Sequence, residues 1–161
     1  IGLYFTRHDF PERIWPIIKF VGTVSITLTG FVFCFVLAPT FGPSAWNVQN
    51  ILTHVVVPLV SIVEFFIICS GMEYKKVETL WVIVPPLLYA IFAGVGYILN
   101  WEFSPGVNYP YFFLNWGSPA GAFGFSDTLP FMGVMYYVLI MLLFLLIVGR
   151  LFIYVHQKIK A

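Results

Sequence analysis

His54 and Glu64 are the residues of this chain best placed to do chemistry, because both fall inside a stretch long and apolar enough to cross a bilayer. A neutral imidazole can take a proton and return it, and a carboxylate can hold a cation or a proton. At about 100° per residue, Asn47, Asn50, His54, Ser61 and Glu64 share an arc of roughly 100°. Ile51, Leu52, Val55, Val56, Leu59, Ile62, Val63 and Phe66 occupy the rest of the wheel. One polar stripe therefore runs down an otherwise lipid-compatible helix. An ionised carboxylate near mid-bilayer costs about 2.5–3.5 kcal/mol on insertion scales, so the stripe is expected to face a bundle interior or a wet cavity.

As a general base, His54 needs a hydroxyl or water within hydrogen-bond reach and a partner that fixes its tautomer. Glu64 lies about 15 Å further along the helix axis, too far to orient the ring, and is expected to tie its helix to a neighbour. His8 and His156 belong to the opposite face of the membrane, so neither a metal centre nor another cofactor is expected. The hydroxyl cluster Thr23, Ser25, Thr27 and Thr29, beside Gly22 and Gly30, has the composition of close helix packing. It also supplies Thr27 and Thr29 as candidate nucleophiles. Pro58 has no N–H to give to the carbonyl one turn back, which leaves a spare acceptor at His54 itself. From the residues alone, a catalytic His54 and a satisfied structural one both stand.

The elements that must position these groups are helices. Of 161 residues, 60% are hydrophobic, 20% aromatic and only 9% charged, with mean hydropathy +0.93, against the roughly 25% charged residues of soluble domains. The expected fold is an all-α integral membrane bundle, one membrane domain over residues 1–161. Its spans are expected near residues 17–38, 51–70, 80–99 and 132–154. A Pro/Gly loop covers residues 39–50, a charged turn residues 71–79, and Pro85 and Pro86 interrupt the third span. Residues 101–131 form a long aromatic Pro/Gly connection, expected to pack down at the membrane surface. Cys34 and Cys69, in different spans, differ in depth by on the order of 20 Å, too far for a disulfide. The sequence opens on Ile1, and further helices are expected upstream.

All eight basic residues fall before the first span, at its start, in the 71–79 turn or at the C-terminal end, and the other two loops have none. The positive-inside rule makes the basic side cytoplasmic. The 39–50 and 101–131 loops then face outward, with His54 beneath them. No basic run suggests a nucleic-acid partner. The P-loop, GxSxG, GxGxxG and zinc-protease patterns are absent.

Asn50, His54 and Pro58 at four-residue spacing, Glu64 beyond them, and the run Tyr109, Pro110, Tyr111, Phe112, Phe113, Leu114 followed by Gly117 carry a resemblance. The pattern resembles the androgen-induced and androgen-dependent TFPI-regulating membrane protein family. It is similar above all to that family's bacterial six-helix relatives, in which TLTG (here Thr27–Gly30), LAP (Leu37–Pro39) and THVVVP-like runs recur. The resemblance covers nearly the whole chain and implies a hydrolase of lipid esters, with a threonine nucleophile and a histidine base. His54 matches the family histidine. Thr6 follows Tyr4-Phe5 as the family threonine follows its aromatic residues, but RHDFPER comes next where the family has a helix.

Three readings follow. The first is a lipid-ester hydrolase with an outward-facing pocket of His54, Asn50, Asn47, Thr27, Thr29, Ser61, Glu64, Tyr109, Pro110, Tyr111 and Asn115, in which Asn50 holds a water or the substrate carbonyl. Its partners would be membrane lipid and a lipid or other small-molecule substrate. The second is a transport or binding protein that uses the stripe from His54 to Glu64 for a small molecule, an ion or a lipid head group. The third is a scaffold whose stripe only satisfies helix contacts. The expected location is a bacterial plasma membrane.

Overall fold

The computed structural model describes residues 14–160, and these form helices and loops with isolated bridges but no strand. Four helices dominate: α1 (Ile14–Phe41), α2 (Val48–Gly71), α3 (Lys76–Ile98) and α4 (Val134–Lys160). All four are long and apolar enough to cross a membrane, as the hydropathy pattern predicts. Thr6, His8 and the basic residues Arg7 and Arg13 lie outside the described residues.

Proline positions explain the departures from regular α geometry. Residues Phe33–Leu37 of α1 and Leu52–Val56 of α2 form π turns, closed by N–H bonds from Ala38 to the Phe33 carbonyl and from Val57 to the Leu52 carbonyl. In each case one residue separates the turn from a proline, Pro39 or Pro58. A proline ring inside a helix clashes with the carbonyl four residues back and cannot donate to it. Widening the preceding turn by one residue lets the helix continue through that position.

The third helix differs from its expected form. It begins at Lys76 as a 3-10 turn that runs to Ile83, so the second half of the 71–79 segment is helical and not a turn. The Glu78 carboxylate accepts the Lys75 N–H at 2.8 Å and closes this start. Pro85 and Pro86 do not interrupt the span, because they occupy the first turn of its α-helical part, where N–H groups have no partner to lose.

The described chain divides into two compact units, one holding the residues up to Val82 and from Leu145 onward, the other Ile83–Phe144. In the first, α1 and α2 lie antiparallel, and Phe20, Val24, Phe65, Val82, Leu145 and Ile153 are fully enclosed. Only 11% of the most apolar window of α2 is buried. Its polar stripe is turned inward and its Leu52, Val56, Leu59, Val60 and Val63 outward, the reverse of a helix in water.

In the second unit the 101–131 connection packs on α3 and on the first turns of α4. Trp116 lies against Gly94, Phe103 against Gly96, and Tyr111 and Phe113 stack at 5.2 Å, with Phe113 6.0 Å from Tyr137. Gly133 lies so close to the 120–124 turn that a Cβ there would be 2.3 Å from the Ala122 carbonyl oxygen. Only glycine fits that approach.

Candidate functional site

The polar stripe of α2 faces α1 and meets it as a series of contacts. At one end Lys19 Nζ pairs with Glu64 Oε1 at 2.5 Å. This is the tie to a neighbouring helix that the distance from His54 implies for Glu64. Next along, the Ser61 hydroxyl donates to Thr23 Oγ1 at 3.3 Å. Then come Gly30 against Pro58 and the His54 carbonyl, and Phe33 against the His54 ring.

His54 sits in the π turn of α2, and its ring stacks on Phe33, in the π turn of α1, with centroids 4.5 Å apart and planes 17° apart. Phe33 is itself held edge-on by Trp46 of the α1–α2 loop at 5.5 Å. The backbone carbonyl of His54, denied a donor by Pro58, lies over Gly30. Nδ1 of His54 is buried and has no hydrogen-bond partner. Trp15 Nε1, Ser25 Oγ and Thr79 Oγ1 in the first unit share that condition, as do Trp116 Nε1 and Ser118 Oγ in the second. Of these atoms only the imidazole nitrogen can accept a proton as well as donate one in a side chain that serves as a general base.

The other sequence candidates divide by what they bond. Thr27 donates to the Thr23 carbonyl at 2.8 Å and Thr29 to the Ser25 carbonyl at 3.2 Å, each four residues back in its own helix. Asn47 caps α2, its Oδ1 accepting the Asn50 N–H at 3.0 Å. Asn50 donates its amide to the Ala45 carbonyl at 2.9 Å, so one N–H expected to hold a substrate carbonyl binds the loop. Tyr109, Pro110, Tyr111 and Asn115 belong to the second unit. There Asn115 Oδ1 accepts the Gly117 N–H at 3.1 Å and Tyr111 stacks on Phe113. Among the described residues, no group of three His, Cys, Asp or Glu side chains could hold a metal ion.

Sequence reasoning missed Phe33, and Pro39 was the signal that could have found it, since a proline in the last turns of a span marks a widened turn ahead of it. It also missed His156. That ring is 2% exposed, and its Nε2 bonds the Cys69 carbonyl at the end of α2 at 3.0 Å. Phe65 and Tyr74 flank it, and Gln157 donates to the Tyr74 carbonyl at 3.3 Å. Burial pushes the Tyr74 phenol above its ordinary value, with Cys69 and Glu78 adding to the shift.

Fold and site together define a class: an all-helical protein with four helices of membrane-crossing length and a histidine at the seam between the first two. Comparison of the chain with protein-family models, with curated proteins and with solved structures finds no match.

Proposed function

We propose that this chain is an integral membrane lipid-ester hydrolase, of the kind its sequence resembles, with His54 as the general base. The observation that carries the reading is the buried, unpartnered Nδ1 of a half-buried imidazole held in a π turn, a helix irregularity frequent at functional sites. Phe33 fixes the ring plane by stacking, and Pro58 and Gly30 fix the backbone that carries it. In the reaction the imidazole takes the proton of a hydroxyl as that oxygen attacks the ester carbonyl, then gives it to the departing alkoxide. With a side-chain nucleophile, water cleaves the acyl-enzyme by the same proton route. Thr27 and Thr29 are the candidate hydroxyls on the side of the membrane that the positive-inside orientation gives His54, and each must first leave its backbone carbonyl; Thr6 falls on the opposite, cytoplasmic side. The substrate is a membrane lipid ester. The basic ends face the cytoplasm of a bacterial plasma membrane, with His54 toward the outer side.

A second reading, binding or transport without turnover, is favoured by one observation. Nδ1 of His54 is free to hold a ligand, and no described hydroxyl bonds it as a nucleophile would. Purified full-length protein and its His54→Ala variant separate the two when offered a panel of lipid esters and a non-hydrolysable ether analogue. Turnover by the wild type that the variant lacks is expected of the hydrolase. Analogue binding through His54 with no wild-type turnover assigns the second reading.

A further inference from the structure

The second unit carries an apolar hairpin that no described residue covers. Residues 123–132 fold back on themselves, with the Ser126 N–H bonded to the Phe131 carbonyl at 2.9 Å and a bridge between Phe125 and Met132. The Gly133 N–H closes the base of the turn on the Gly124 carbonyl at 2.8 Å. On this small frame Phe123 is 64% exposed, Phe125 76%, Leu129 48% and Phe131 53%. The exposed rings are not loosely held, because Tyr136, in the first turn of α4, stacks on Phe125 at 5.2 Å and meets Phe123 edge-on at 6.4 Å.

We propose that this hairpin seats Phe123, Phe125, Leu129 and Phe131 in the interfacial layer of the bilayer that α4 crosses. The inference rests on the membrane reading of α4. Two features single out this occupant. Gly133 alone separates the hairpin from α4, whose first turn clamps it, so it lies at the level where a membrane-crossing helix meets the head groups. The whole 83–144 unit has Glu102 and Asp127 but no lysine or arginine, so its contact is with the uncharged glycerol and acyl region and not with anionic head groups. Aromatic side chains are the residues that partition best at that depth.

The test is site-directed spin labelling at Phe125→Cys and Phe131→Cys, in a chain carrying Cys34→Ser and Cys69→Ser, reconstituted in phosphatidylcholine vesicles. Ile147→Cys, on the exposed side of α4, serves as the control. Oxygen accessibility above that of a nickel chelate at positions 125 and 131, unchanged when anionic lipid is added, is expected. Chelate accessibility above oxygen at both positions, or protection from both reagents, overturns the hairpin inference when position 147 still reads as lipid. Chelate access at position 147 as well overturns the membrane reading itself. If Cys69→Ser prevents folding, benzoylphenylalanine at position 125 of the native-cysteine chain replaces the label. Photoadducts with phosphatidylcholine are expected, and adducts with protein alone overturn the proposal.

Discussion

The backbone carbonyl of His54 lies 2.8 Å from the point where a Cβ on Gly30 would stand, and Pro58 fills the same contact at 3.1 Å. The atom in the way is backbone and cannot swing aside. Gly30→Ala should therefore push α1 and α2 apart at the site, costing about 1–3 kcal/mol as overpacked substitutions do. Denaturant unfolding in detergent measures the cost. Gly22, which has open space around its Cα, is the control, and Gly22→Ala should be close to neutral.

Lys19 and Glu64 form a half-buried ion pair between α1 and α2. Removing either partner leaves the other charge unpaired, so Lys19→Met and Glu64→Gln should each destabilise, and the double variant should lose less than their sum. A coupling of about 0.5–3 kcal/mol is expected from the double-mutant cycle. Strict additivity would mean that the two side chains do not depend on each other.

His156 Nε2–H donates to the Cys69 carbonyl at the end of α2, which also accepts the Met72 N–H at 3.0 Å. His156→Leu keeps bulk but removes the bond that ties α4 to the end of α2, at a cost of about 0.5–1.5 kcal/mol. Thermal melting should show the loss, with amide exchange fastest over the 3-10 turn Ile68–Gly71.

Tyr74, between α2 and α3, has its phenol pushed up from the ordinary value of 10.0 by burial. The folded state therefore holds this proton more tightly than the unfolded state. The stability it contributes is fully present below about pH 10 and is lost as pH rises above that value. Wild-type stability should fall with alkaline pH more steeply than that of Tyr74→Phe. Parallel pH profiles for the two proteins would exclude Tyr74 as the source.

The four spans and the stripe from His54 to Glu64 are legible in the sequence because hydropathy and a 3.6-residue period record which face is polar. What they do not record is an added residue in a turn. The two π turns, and so the stacking of Phe33 on His54, follow from how Pro39 and Pro58 are accommodated, and hydropathy is blind to that. Glu64 was readable as a tie to a neighbouring helix from distance alone, but Lys19 as its partner required the antiparallel register. Asn50 looks like a ligand group on a helical wheel. Its bond to Ala45 depends on the loop path, which the wheel omits. The 3-10 start at Lys76 was hidden by charge, since Lys75, Lys76 and Glu78 read as a solvated turn until Glu78 is seen closing the helix.

The central claim, that the His54 imidazole is a reacting group, is tested most directly by the lipid-ester turnover of full-length wild-type protein and His54→Gln, with the melting midpoint of each. The account predicts that kcat falls by about 10²–10⁴-fold while the melting midpoint and the affinity for an ether analogue stay close to wild type. Equal turnover by the two proteins would contradict it.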